Sequence, residues 1–264
     1  MKNILVPLGI SDRAPFTLKY AMTVAAYFDS TVYVVDAYPT HVNPIGMTNV
    51  KARLDEENHL RIKKLVSEVG TQYKKIKIVK SEQDLLGTIK KLNQTIGLDL
   101  VVVAPLNNDF DDKVFLGRIA GSIIKRSDVP VLVAPLNGAF IPPKKMLMAF
   151  KTGEVKNLST LKVLMHFQDT FQARLKLLLV KVPGFVNKNH QIDDALTMRA
   201  DKMIFSVNAT VYQGVLEHFQ SSKPDMLVVF KRERGFFEKL WETDLIFKAD
   251  FYCTVPLLVL KNID

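Results

Sequence analysis

The strongest constraint on the fold is that the sequence runs through the same succession of segments twice. The segments "DLVVVAP" and "DVPVLVAP" reappear later as "DMLVVFK" and "TVPLLVLK". Ala104 and Pro130 correspond to Phe230 and Pro256 at a constant offset of 126 residues, without a gap. At the first strands, "NILVPL" and "KMLMAF", the offset is 142, so the second repeat is 16 residues shorter, mostly between its second and third strands. The chain must therefore build one supersecondary unit twice.

Apolar runs alternate with helical patterns inside each repeat. Repeat 1 has predicted strands at 3–8, 31–38, 75–80, 100–105 and 129–135, and predicted helices at 13–28, 53–70, 85–96 and from near Val114. Ser11 or Asp12 is the predicted N-cap of the first helix. Continuous Val, Leu and Ile runs are typical of strands buried on both faces, which indicates an α/β fold with a parallel sheet.

Repeat 2 also has five apolar runs that predict strands. These predicted strands are 144–150, 174–182, 208–214, 225–231 and 254–261. The segment "LNGAFIPPK" holds two prolines and a glycine and is the predicted linker. We therefore predict one domain at residues 1–138 and a second, degenerate one at 143–264.

Composition excludes several classes of function. The 264 residues carry 36 Lys or Arg and 27 Asp or Glu, a net charge of +9 that is spread over both halves rather than gathered on one element. This pattern argues against a nucleic-acid partner. No run of 18 apolar residues occurs, so no membrane partner is expected. The single cysteine, Cys253, can form no internal disulfide, which favours a cytoplasmic location.

The chain resembles the universal stress protein family in its tandem form. The resemblance rests on "ILVPLGIS" at the start, the strand "VVVAP" with its loop, the helix "LGRIAGSIIKRS" and the closing "VPVLVAP". It implies two open parallel five-stranded sheets, each of order 3-2-1-4-5 with helices on both faces, related by a pseudo-two-fold axis. It also implies that the final strands, 129–134 and 255–260, meet at the interface between the repeats. In repeat 1, a ligand crevice would be lined by 8–11 and 104–108.

Members of this family that bind ATP carry G-x2-G-x9-G-[ST] after the fourth strand and an Asp after the first strand. The equivalent positions in repeat 1 are Gly9, Ala104, Asn107, Gly117 and Arg118. Only Gly117 matches. Gly9 removes the carboxylate that would hold the nucleoside, and Ala104 adds a methyl group where backbone should approach a phosphate. Arg118 removes a hydroxyl, although a guanidinium can bind phosphate itself.

Repeat 2 departs further from the motif. Its equivalent positions are Lys151, Phe230, Glu233, Thr243 and Asp244, and none of them is glycine. Phe230 is expected to fill the crevice, and Glu233 with Asp244 to repel phosphate oxygens. The loop after Phe230 also carries four basic residues, which leaves anion attraction open as a weaker alternative.

No catalytic or metal-binding set emerges from the sequence. The five histidines do not fall at metal-ligand spacings, and the loop with Asp109, Asp111 and Asp112 lacks the glycine and glutamate of a calcium loop. Residues 40–58 have no clear pattern, and the segment from Met47 to Leu60 is a candidate cover for the crevice.

The resemblance and the motif losses together predict a non-enzymatic stress-response protein without a cofactor, acting through protein partners. It would be a monomer with an internal pseudo-dimer, or a homodimer. The alternative is a nucleotide binder that uses repeat 1 to hold ATP or AMP with altered contacts and at most slow hydrolysis. An enzyme of another α/β class finds no supporting residue set.

Overall fold

The computed structural model describes residues 1–37, 48–69, 73, 75–80, 84–105, 113–136, 138–183, 192–231, 245–248 and 251–261. The chain divides into two compact units, 1–104 and 105–264. The predicted boundary between repeats, 138 to 143, is a different division of the chain and stays a prediction.

The described residues of the first unit form a parallel sheet with three helices. Its strands are β1 (Asn3–Leu8), β2 (Thr31–Asp36), β3 (Ile76–Val79) and β4 (Leu100–Val103). Its helices are α1 (Ala14–Phe28), α2 (Thr48–Val69) and α3 (Leu85–Ile96). The strand order is β3-β2-β1-β4, and every neighbouring pair is parallel. This confirms the predicted strands and helices of repeat 1 up to residue 103, and the first four strands of the expected order.

The start of α1 differs from the sequence prediction. Neither Ser11 nor Asp12 is the N-cap; Arg13 holds that place and makes no side-chain capping bond. Pro15 lies in the first turn, where it has no N–H to satisfy and its fixed φ suits the helix. The backbone of Ser11 contributes instead, since its carbonyl accepts a hydrogen bond from the Ala14 N–H at 2.9 Å.

The second unit contains eight further strands and four further helices among the described residues. The strands are β5 (Val114–Leu116), β6 (Val131–Val133), β7 (Lys145–Phe150), β8 (Arg174–Lys181), β9 (Lys202–Val207), β10 (Met226–Lys231), β11 (Ile246–Phe247) and β12 (Leu257–Lys261). The helices are α4 (Arg118–Arg126), α5 (Lys162–Phe171), α6 (Asp194–Thr197) and α7 (Val211–Ser222), with a 3-10 turn at Leu158–Leu161.

The main sheet of the second unit carries the order expected from the resemblance. It runs β6-β12-β10-β7-β8-β9, so the five strands of repeat 2 are arranged 5-4-1-2-3 and are mutually parallel. The core consists of strands that are buried almost completely, as the continuous apolar runs predict.

The final strands of the two repeats pair with each other, as predicted. β6 is antiparallel to β12, with Leu132 opposite Leu258 and Val131 opposite Val259. Leu132 and Leu258 are equivalent residues at the offset of 126, so a local two-fold axis passes between them. This contact joins repeat 2 to the last strand of repeat 1.

Two sequence predictions in this region are wrong. Residues 114–116 do not begin a helix; they form β5, which pairs antiparallel with β11, and α4 begins only at Arg118. Residues 208–214 are not a strand, because the third strand is β9 and α7 begins at Val211. The Thr210 side chain accepts a hydrogen bond from the Gln213 N–H at 3.1 Å and caps that helix, which ends the extended segment.

Repeat 2 has fewer helices than repeat 1 over the described residues. Where repeat 1 has the 22 residues of α2 between its second and third strands, repeat 2 has only the four residues of α6. The counterpart of α4 is also not formed at 245–248 and 251–256, where the chain makes β11 and an irregular segment. The shortening predicted between the second and third strands is confirmed.

Candidate functional site: the carboxyl ends of the strands

Gly9 and Ala104 lie together at the carboxyl ends of two neighbouring strands of the first sheet. Each follows directly after its strand, β1 or β4, and these two strands are neighbours. The register pairs Ile4 with Leu100, so the two chain segments leave the sheet at the same level. Both residues are half-buried. The structure thus brings two of the predicted site residues together.

An arginine that was not among the predicted site residues also lies at these carboxyl ends. Arg61, on α2, donates a hydrogen bond from Nη1 to the Gly9 carbonyl at 2.8 Å. Its Nη2 lies 3.6 Å from Oδ1 of Asp36, the last residue of β2. The guanidinium therefore spans the carboxyl ends of β1 and β2, and it contacts the residue that stands where the family motif has its Asp.

The rest of the Arg61 guanidinium is buried. Nε and Nη2 have no solvent-accessible surface and make no hydrogen bond within the described part of the chain. Sequence patterns do not single out Arg61, because α2 carries several cations that lie on its exposed face. The sequence did carry a signal for Asp36. It is a carboxylate at the end of an apolar strand, the position where α/β folds place ligand-binding groups.

Gly117 and Arg118 are placed in the second unit, at the start of α4. Gly117 is the N-cap residue and has φ −71° and ψ 172°, a conformation open to any residue. No side chain caps this helix, and Arg118 is exposed in its first turn. Uncapped N–H groups beside a guanidinium favour an anion. Asn107 lies outside the described residues, as do Asp109, Asp111 and Asp112.

The equivalent strand ends in repeat 2 are packed with aromatic rings. Phe150 ends β7, and Phe230 lies beside it near the end of β10, the neighbouring parallel strand. Their ring centroids are 6.4 Å apart, and the two residues are 4% and 2% exposed. Phe230 is thus a core residue.

The chain itself closes over the end of β7. A Cβ atom on Gly153 would lie 2.8 Å from the Cα of Ile192, closer than real contacts allow. The Gly153 carbonyl also accepts a hydrogen bond from the Asp193 N–H at 3.0 Å. Lys151, at the position of the motif Asp, is half-buried. Glu233, Thr243 and Asp244 lie outside the described residues.

One buried cation in the second unit has a structural role. Lys261, at the end of β12, is 4% exposed, and its ammonium donates to the carbonyls of Ile123 and Ile124 in the last turn of α4. A cation at a helix C-terminus interacts favourably with the macrodipole. Burial lowers the pKa of Lys261 to about 7, and Lys231 beside it acts in the same direction.

Cys253 is a packed thiol rather than a reactive one. It is 4% exposed, and its Sγ donates to the Val255 carbonyl at 3.3 Å. Burial raises the pKa of this thiol to about 11, so it is protonated at neutral pH. The described residues contain no group of three or more His, Cys, Asp or Glu side chains that could hold a metal ion. None of the described helices has the length and apolar character needed to cross a membrane.

The profile of the universal stress protein family matches residues 1–135, slightly more than half of the chain. The chain belongs to the universal stress protein family. It is similar to a universal stress protein of Methanocaldococcus jannaschii, with 28% identity over 142 residues, 50% of this chain and 81% of that protein.

Solved structures of universal stress proteins share the fold. A universal stress protein from Archaeoglobus fulgidus superposes with a TM-score of 0.70 at 11% identity, covering 99% of this chain and 98% of that one. A putative universal stress protein from Pseudomonas aeruginosa gives a TM-score of 0.60 at 15% identity, covering 99% and 93%. These likenesses confirm the α/β fold with its mostly parallel sheet, and the family gives the chain a stress-related function.

Proposed function

We propose that this universal stress protein acts through protein partners, without catalysis and without a bound nucleotide. The observation that carries the proposal is that the chain's own side chains occupy the strand ends where the family motif would hold a ligand. In repeat 2 these are the buried rings of Phe150 and Phe230. A nucleoside would have to displace packed aromatic groups, each of which contributes several kcal/mol to the core.

In repeat 1 the electrostatics of the strand ends disfavour a nucleoside. The motif carboxylate is replaced by Gly9, and its backbone carbonyl is already bonded to Arg61 at 2.8 Å. A ribose hydroxyl would therefore meet a donor-rich guanidinium instead of an acceptor. Each lost hydrogen bond weakens binding by roughly 1–3 kcal/mol, so two losses move a micromolar site by one to four decades.

Thermal unfolding of the full chain with ATP, ADP, AMP and adenosine tests the proposal. A ligand that binds only the native state at a hundredfold excess over Kd stabilises it by about 2.7 kcal/mol, which is easily seen as a shift in Tm. Because the lost contacts would move a micromolar site towards a millimolar Kd, we expect at most a small shift in Tm, equivalent to about 0.4 kcal/mol, at 1 mM nucleotide. A micromolar Kd in calorimetry, or release of a nucleotide from the purified protein on denaturation, overturns the proposal.

The alternative is nucleotide binding through repeat 1. It is favoured by one observation, the uncapped start of α4 with Gly117 and the exposed Arg118. If ATP does bind, Arg118→Ala weakens ATP far more than adenosine, since only the phosphates carry charge for the guanidinium. Arg126→Ala, in the last turn of the same helix, is the matched control and leaves both affinities unchanged.

A further inference from the structure

The outer strand of the second unit, β9, presents an unpaired edge. One side of β9 pairs with β8 over its full length, from Lys176–Lys202 to Lys181–Val207. No described strand pairs with its other side. Unpaired backbone N–H and C=O groups along such an edge are a template for another strand.

The side chains of β9 differ between its two faces. Ser206 is buried and donates from its hydroxyl to Oε2 of Glu217 on α7 at 3.2 Å, so this face packs against the helix. On the opposite face, Met203, Phe205 and Val207 are 40%, 56% and 74% exposed. Three large apolar side chains in alternation therefore form a stripe, which we call the β9 stripe.

The described residues of repeat 2 form no helix longer than one turn between β8 and β9, and the β9 stripe is exposed. The stripe's neighbours on β8, Leu177 and Leu179, are completely buried, so the covering layer ends between β8 and β9. In the described part of the connection between these strands, the single helix is α6, one turn long. In repeat 1 the same connection contains α2, and the apolar residues of the equivalent strand, Ile76, Ile78 and Val79, are half-buried.

We propose that two copies of the chain associate through antiparallel pairing of their β9 strands, with the two β9 stripes in contact. A strand that pairs with its own copy across a two-fold axis satisfies both edges at once. The chain already uses this type of contact, since β6 and β12 are equivalent strands that pair antiparallel.

Charge favours the antiparallel orientation. Each β9 begins with the exposed Lys202, and the chain carries a net charge of +9. In parallel pairing the two Lys202 side chains would be neighbours. Antiparallel pairing separates them by the length of the strand, about 16 Å, which exceeds the Debye length of about 8 Å at physiological salt.

The size of the contact sets its strength. One aromatic and two aliphatic side chains bury less than the roughly 800 Å² per partner of a standard interface. The backbone ladder adds hydrogen bonds that are each worth about 1 kcal/mol net. We therefore expect a dissociation constant in the micromolar range.

Sedimentation velocity on the full chain tests the proposal. Between about 1 and 200 µM the mass should rise from about 30 kDa towards twice that value. Phe205→Lys or Val207→Lys places ammonium groups in the contact and should weaken association more than tenfold. Leu216→Lys is the matched control, because Leu216 is 52% exposed on α7 and lies outside the stripe. Because both substituted sites are exposed, the second lysine variant still tests the contact if the first has a lowered Tm.

The orientation has its own measurement. Lys202→Cys labelled with a nitroxide gives a separation of about 16 Å between the labelled Cα atoms in an antiparallel dimer and about 5 Å in a parallel one. Cys253 is buried and does not compete for the label. A chain that stays monomeric at 200 µM, a dimer that both lysine variants leave intact, or a short separation overturns the proposal. None of these outcomes depends on nucleotide binding.

Discussion

The carboxyl ends of the first and fourth strands are built differently in the two repeats, although the strand order is the same. In repeat 1 the positions hold Gly9 and Ala104, and a guanidinium from α2 bonds the Gly9 carbonyl. In repeat 2 the position of Ala104 holds the buried Phe230, whose ring packs against Phe150, and the position of Gly9 holds the half-buried Lys151. Residues at or next to the ends of these strands therefore decide whether the end of the sheet is polar or part of the core. The fold alone does not establish a binding site.

The largest effect on the free energy of unfolding is expected from truncating Phe230, which packs against Phe150. Phe230→Ala removes a ring that is 2% exposed and should lower the free energy of unfolding by about 3–5 kcal/mol, because a cavity is left in the core. Urea unfolding followed by circular dichroism measures the loss. Ala104→Gly, at the equivalent position of repeat 1, should cost at most about 1 kcal/mol. Equal losses in the two variants would show that the two ends are packed alike.

The next effect concerns Lys261, whose equivalent in repeat 1 is Pro135. The pKa of Lys261 is about 7 in the folded chain and lower than in the unfolded chain, so the unfolded state binds more protons between pH 7 and 10. Stability relative to the Lys261→Met variant should therefore rise with pH over that range, by up to about 1.4 kcal/mol per pH unit. Urea midpoints at pH 7, 8 and 9 measure it. If the stability difference between the two proteins is independent of pH, the Lys261 amine does not titrate in this range.

Lys231→Met removes the neighbouring cation and should reduce the slope of stability against pH.

A smaller effect is expected where the chain closes over β7. Gly153→Val places side-chain carbons against the Ile192 backbone, which a Cβ would already approach to 2.8 Å. Overpacking of this kind costs about 1–3 kcal/mol. Ser11→Val, at the equivalent position of repeat 1, changes an exposed residue and should leave the urea midpoint within error. A tolerated Gly153→Val would mean that the strand end in repeat 2 is open.

The smallest effect is expected at Arg61. Arg61→Ala removes the hydrogen bond to the Gly9 carbonyl and the ion pair with Asp36, and it should cost about 1 kcal/mol in urea unfolding. Arg53→Ala is the control on the same helix, because its ion pair with Glu57 is exposed and contributes little. If neither variant changes the free energy of unfolding, Arg61 does not hold the strand ends together.

Local patterns in the sequence were sufficient for most of the fold. The continuous apolar runs predicted the buried parallel strands, and the resemblance to the family implied that β6 and β12 meet. The errors fall where short segments depend on distant partners. Val114–Leu116 has apolar residues that suit a helix, yet it becomes a strand because β11, more than 100 residues later, supplies its hydrogen bonds.

The candidate site divides in the same way. The sequence by itself predicted that the motif residues are lost, since Gly9, Ala104 and Phe230 are read directly at fixed offsets. Only the tertiary structure decided that Arg61 bonds the Gly9 carbonyl and that Lys261 caps α4, because each contact joins residues far apart along the chain. It also decided that the β9 stripe is exposed. Exposure depends on which layer covers a strand, and hydrophobic periodicity records which side chains share a face but not what packs against it.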